Sequence, residues 1–247
     1  MDNQQNFNIN YANQQGLAKP VERTFIANVF SWMAAALAIS GITAYVFGTD
    51  MSYMSYLMNI GADGRTTMTG LGWIVMLAPL GFVLLMSFGF QKLSSTALIA
   101  LFLIYSVLTG MSLSFIFLVY TQASIYSTFG IAAGMFGAMA LVGYTTNTDL
   151  TKFGSIMFMG LIGIIIASVI NIFVHSAGMN YLISILGVLI FTGLTAYDVQ
   201  KIKRIGAGVE YGTEATAKLS IMGALNLYLD FINLFLFLLR LFGGRRN

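Results

Sequence analysis

The chain has no cysteine and one histidine, His175. The first absence removes disulfides, thiolate metal sites and thiol redox switching. The second removes any histidine-rich metal site and leaves a Ser–His hydrolytic pair one candidate, at a helix end. Charge is scarce as well. Asp, Glu, Lys and Arg make up 9% of the 247 residues, against about 25% in a soluble domain. No positively charged secretory n-region with a small-residue cleavage site opens the chain. What is present is apolar: 57% hydrophobic residues with a mean hydropathy of +0.81. This composition describes a polytopic, all-α integral membrane protein in the lipid bilayer. The net charge of +3 fits basic cytoplasmic loops rather than a nucleic-acid partner.

A spanning helix needs about 20 mostly apolar residues. Seven such runs lie at about 25–47, 71–90, 95–119, 125–144, 153–174, 181–200 and 219–242. Runs of this length exclude barrel strands. The connections are short except 48–70 and 201–218, both read as loops. Residues 1–19 are polar and rich in Asn and Gln, the composition of a disordered tail. Residues 20–247 read as a single membrane domain.

Lys and Arg set the orientation. With the N-terminus inside, the cytoplasmic segments hold eight (Lys19, Arg23, Lys92, Lys152, Lys201, Lys203, Arg204, Lys218) and the outside four (Arg65, Arg240, Arg245, Arg246). The N-terminus is therefore expected in the cytoplasm. The Arg245–Arg246 pair runs against this and keeps open a last segment that enters and returns to the cytoplasm. Many of the 26 glycines lie within spans. Gly130, Gly134 and Gly137 stripe the fourth span, with Gly160 and Gly163 in the fifth, a pattern expected to bring helices close. The 15 methionines and the many Phe read as core or lipid-facing side chains.

Two acids stand out, because a carboxylate in hydrocarbon is costly and at that depth faces a cavity, a partner or an ion path. Asp230 lies near mid-membrane in the seventh span; Asp198 lies toward the cytoplasmic end of the sixth. Asn226, Asp230 and Asn233 recur at i, i+4 and i+7 and share a helix face, with Arg240 seven residues further on. This polar stripe in an apolar helix is expected to face inward. The two spans are antiparallel neighbours, so the two carboxyls can approach. Carboxylates in contact do not both ionise easily and titrate as a pair. A shared proton would join the helices. Its loss would leave repulsion or capture a hard divalent cation such as Ca²⁺, for which Asp198, Asp230 and the two asparagines offer oxygen ligands. The plainer alternatives are an ion pair of Asp198 with Lys201 at i+3 and a structural, hydrogen-bonded Asp230. Asn171 and His175, at i and i+4, read as a polar pair at a helix end.

Four stretches of the chain resemble the Bax inhibitor-1 (transmembrane Bax inhibitor motif) family in its bacterial branch. The most specific is Leu227-Tyr228-Leu229-Asp230-Phe231-Ile232-Asn233-Leu234-Phe235. The others are Tyr197-Asp198 followed by Gln200-Lys201-Ile202-Lys203, the run from Gly143 to Leu150, and Thr109-Gly110-Met111-Ser112-Leu113-Ser114. The resemblance implies a central seventh helix wrapped by helices 1–3 and 4–6. It implies a pH-sensitive calcium leak with an aspartate pair as sensor, at Asp198 and Asp230. It also implies a latch cation at the end of the second helix, where Lys92 stands in place of the Arg of some relatives. Lysine lacks the bidentate fork of arginine. Phe115 stands where many members have Pro, and Asn147 where Lys or Arg is frequent.

Three function classes follow. The first is a proton-regulated calcium leak of the bacterial inner membrane, gated by Asp198 and Asp230, with Asn226 and Asn233 lining the path and calcium and protons as partners. The second is a non-transporting membrane protein that modulates a membrane protease or another membrane assembly. The third, an enzyme, is disfavoured: the Gly-x-Gly-Asp half of an intramembrane aspartyl protease is missing before Asp230, and the last span lacks the lysine of a retinal protein.

Overall fold

The computed structural model describes residues 2–60, 66–210 and 212–246, with side chains from Val21 onward except that of Ile60. The polar tail expected at 1–19 lies outside the residues whose side chains are described. Among the described residues seven helices are long and apolar enough to cross a membrane, and the chain is an all-α membrane protein. They are α1 (Asp2–Thr49, crossing over Val21–Thr49), α3 (Gly70–Gly89), α4 (Ser95–Leu113), α6 (Gln122–Thr145), α7 (Thr151–Val174), α8 (Ala177–Gly208) and α9 (Glu214–Phe242). Within the third span, α4 gives way at Ser114 to a single turn, α5 (Ile116–Val119). Hydroxyl side chains start five of the helices: Thr69, Ser94, Thr121, Ser176 and Thr213 each accept a hydrogen bond from a first-turn amide.

Two stretches read as loops are structured. The segment after α1 holds a short helix α2 (Met51–Leu57) and an antiparallel hairpin of β1 (Met58–Ile60) and β2 (Thr66–Met68). The sixth span continues as helix to Gly208, because helical hydrogen bonding does not stop where the apolar run ends. The last span has no break at which a re-entrant segment would turn back. α9 is one continuous helix of 29 residues, and the chain beyond it pairs with the α5–α6 connection. There Thr121 N–H donates to Gly244 O, and Arg246 N–H donates to Val119 O.

α9 packs against α1, α4, α6 and α8 and is the most buried of the seven spans. α3 packs on α4, and α7 packs on α8. The glycine stripe of the fourth span does not carry this packing. A Cβ built on Gly130, Gly134 or Gly137 meets nothing within 4 Å. The close approaches lie elsewhere. A Cβ on Gly143 would stand 2.2 Å from Ala196 O of α8, and one on Gly110 would stand 2.6 Å from Ser40 O of α1. Gly154 of α7 lies against the Tyr197 ring, leaving no room for a Cβ. Two glycines from opposite neighbours thus grip α8 at 196–197, one residue before Asp198.

Candidate functional site

The polar face of α9 borders a cavity. Asn226, Asp230 and Asn233 of α9, continued by Phe237, line a space of about 850 Å³ that α7 and α8 complete. From α8 the wall takes Phe191, Leu194, Tyr197, Asp198 and Lys201. From α7 it takes residues between Thr151 and Ile172, a rise of about 30 Å at about 1.5 Å per residue, close to the thickness of the hydrocarbon core. Toward the far end from Lys201, Phe191 and Phe237 stack with centroids 5.8 Å apart.

The Asp198 and Asp230 carboxyls face each other within hydrogen-bonding range. Asp230 is 4% exposed, and its Oδ2 has no hydrogen-bond partner. Two carboxylates offer each other only acceptors, so the contact becomes a hydrogen bond once one oxygen carries a proton. Asp198 is half-buried, and its nearby positive charge is Lys201, one helical turn along α8. Among the described residues no ion pair closes between Lys201 and Asp198, so the lysine acts on this acid through its nearby charge alone. The Asn233 amide donates to Leu229 O at 2.8 Å, which leaves its side-chain oxygen as the remaining ligand group. Among the described residues no cluster of three or more His, Cys, Asp or Glu forms. A calcium ion here would combine two carboxylates with amide and water oxygens, a set suited to passage more than to tight residence.

Lys92 lies at the end of the second span, as the resemblance implies. It is exposed in the turn between α3 and α4, and among the described residues no ion pair joins it to Asp198. The lysine in the cavity wall beside that acid is Lys201. Arg240, on the same face as the stripe, lies beyond the cavity with its guanidinium 5.4 Å from the Phe237 ring. Asn171 and His175 shape a turn. Asn171 is buried and accepts from Ser176 N–H at 3.0 Å, while His175 takes the left-handed conformation at φ 55°.

A clasp at the end of the cavity nearest Lys201 escaped the sequence reading. The Gln200 amide donates to Thr148 O at 2.8 Å and accepts from Leu150 N–H at 2.9 Å. Arg204 donates to the Thr151 hydroxyl and to Asp149, and Lys203 donates to Tyr144 O at 2.7 Å. The Thr151 hydroxyl and the Arg204 guanidinium hold the Asp149 carboxyl well below the usual carboxylate range. The two halves of this clasp are the Gly143–Leu150 and Gln200–Lys203 stretches singled out separately in the sequence. Their meeting is a tertiary contact with no local signature. On the opposite face of α9, Tyr228 O–H and Ser40 Oγ lie 2.7 Å apart, and Ser40 donates to Ser106 O at 2.7 Å.

Comparison with known proteins gives the same fold-wide resemblance. The sequence model of a family described as inhibitor of apoptosis-promoting Bax1 matches residues 22–247. An uncharacterized protein of Borreliella burgdorferi is 48% identical over 92% of this chain and 94% of its own length. The inner membrane protein YbhL of Escherichia coli K12 is 46% identical over 91% of this chain and 93% of its own. An uncharacterized membrane protein of Streptococcus pyogenes is 36% identical over 89% of this chain and 92% of its own.

Proposed function

Starting from a chain that belongs to the Bax inhibitor-1 family, we propose that it is a proton-regulated cation leak with calcium as cargo. The observation that carries this reading is the facing Asp198–Asp230 pair, with a buried and unpartnered Asp230 Oδ2, on the wall of a cavity as long as the hydrocarbon core is thick. With one proton between them, the carboxyls link α8 to α9. Without it, two negative charges repel in a medium that screens them poorly, and either the helices part or a divalent cation takes the proton's place. Asn226 and Asn233 supply further oxygens along the stripe. Lys201 balances Asp198 and sets how much charge the pair carries. The chain needs no catalytic residue for this.

We place the chain in a bacterial inner membrane, the location in the name of YbhL, with its N-terminus in the cytoplasm. Eight of the 12 Lys and Arg then lie on the cytoplasmic side. The test is calcium entry into dye-loaded proteoliposomes between about pH 5 and 8, for wild type, Asp198→Asn, Asp230→Asn and the double variant. The expected result is a pH-dependent flux that the double variant makes independent of pH. No flux above empty liposomes at any pH would refute the leak. The interaction protein acting on a membrane protease or similar assembly would then take its place, with the pair as a structural latch.

A further inference from the structure

The cavity is larger and more apolar than a small cation requires. Calcium holds its ligands at about 2.3–2.6 Å, so the acids and asparagines serve it with a fraction of the space. The whole volume, about 850 Å³, lies within the range of about 300–1,000 Å³ typical of sites for drug-sized molecules. Most of the surplus wall belongs to α7. Its Phe158, Met159, Ile165 and Val169 line the cavity, yet each remains more than 50% exposed. α7 is tied to the bundle through α8, so the space between α7 and α9 opens sideways, toward the bilayer.

Three features restrict what fits. The approach is through hydrocarbon, which selects a molecule with a large apolar surface. The wall carries aromatic rings, Phe158, Tyr197 and Phe237 among them, whose faces attract a positive charge. One polar atom in the wall is buried and unpartnered, and it belongs to an acid, Asp230. A neutral acyl chain would fill the apolar wall and leave that oxygen without a partner. An anionic headgroup would set like charge against the pair. We propose that the cavity is a binding site for a lipophilic organic cation, an aromatic or alkyl ammonium or phosphonium. It enters from the bilayer and sets its charge against Asp230 and Asp198 and its apolar groups against α7.

The test uses the purified full chain in detergent and two probes of nearly the same shape and opposite charge, tetraphenylphosphonium and tetraphenylborate. Each is measured separately by equilibrium dialysis. The expected result is saturable binding of the cation, one per chain, with no saturable binding of the anion. Asp230→Asn should weaken the cation roughly tenfold or more, and Phe158→Ala about two- to fivefold. Phe158 is 57% exposed, so its truncation leaves folding intact, and the two-probe comparison needs no variant. Equal binding of both probes would overturn the proposal and make the cavity a charge-blind apolar seat for a lipid chain or a partner helix. Absent saturable cation binding would overturn it as well. Neither measurement uses a calcium gradient, so failure of the leak reading leaves this result standing, and the reverse.

Discussion

Replacing Tyr228 by Phe removes one oxygen and keeps the ring. The Ser40 hydroxyl has one proton and gives it to Ser106 O, so the Tyr228 hydroxyl must be the donor to Ser40 Oγ. Tyr228 and Ser40 are at most 1% exposed, so water does not substitute. The Phe ring retains its edge contacts with Phe102 and Tyr105, at centroid distances of 6.0 and 5.5 Å. What is lost is one buried hydrogen bond, worth about 1 kcal/mol in mutational series and about 0.6 kcal/mol on average within membranes. Tyr228→Phe is therefore expected to cost about 0.6–1.5 kcal/mol. Ser40→Ala should cost more, roughly 1–3 kcal/mol, because it removes both the acceptor of the Tyr228 hydroxyl and the donor to Ser106 O. On that background Tyr228→Phe should cost nothing or restore stability, giving a coupling of about 1 kcal/mol. Reversible unfolding by denaturing detergent in mixed micelles measures all four corners of the cycle. Additive losses, with coupling below about 0.3 kcal/mol, would refute the chain of donors.

Gly143→Ala needs α6 and α8 to part by about 1 Å, since its Cβ would start 2.2 Å from Ala196 O, and overpacking of this kind costs about 1–3 kcal/mol. Gly137→Ala, with nothing within 4 Å, should be neutral or stabilising; equal unfolding temperatures for the two variants would refute this account of helix contact. Gln200→Ala removes the two Gln200 bonds to Thr148 and Leu150 while the Arg204–Asp149 pair remains, and should raise amide exchange at Leu150, a change absent if the clasp is decorative. The clasp also gives a pH control. The lowered Asp149 titration means that its ion pair is present above the ordinary carboxylate range and lost only as pH falls through the lowered value. Its contribution is then constant between about pH 5 and 8. A flux response in that window should survive Asp149→Asn, and its disappearance in that variant would move the sensor from the aspartate pair to the clasp.

The spans are legible because hydropathy alone dictates them, yet hydropathy sets several of their starts late, while the third, from Ser95, agrees. The fourth, fifth, sixth and seventh begin at Gln122, Thr151, Ala177 and Glu214, each before the first strongly apolar residue. Capping residues such as Thr121, Ser176 and Thr213 are polar, so hydropathy discards the residues that start the helix. The Asn226–Asp230–Asn233 stripe was legible because its spacing is that of one helix turn and then two. The glycine stripe shows the limit of the same reasoning. Periodicity says that Gly130, Gly134 and Gly137 share a face, but not which face, and that face meets no neighbour. Lys92 was placed by resemblance rather than by any contact in the sequence. The clasp joins residues about 50 positions apart, such as Thr148 and Gln200, a distance over which local pattern is silent.

The two polar faces of α9 constrain how the acid pair can act. Tyr228 and Asp230 are two residues apart, about 200° around the helix, so one faces the hydroxyl chain and the other the cavity. A helix hydrogen-bonded into α1 and α4 on one side cannot turn to relieve repulsion on the other without breaking that chain. α8 is no freer by itself, since Gly143 and Gly154 wedge it between α6 and α7 and the clasp ties its end to the α6–α7 loop. Separation of the carboxyls is therefore expected to carry α8 together with α6 and α7 away from an α9 that stays with α1 and α4. The absence of native cysteine lets paired spin labels read this directly. The α8–α9 distance should change across the pH range of the flux response while the α4–α9 distance holds. A fixed α8–α9 distance with a moving α4–α9 distance would place the hinge at Tyr228 instead and make the hydroxyl chain, not the acid pair, the contact that yields.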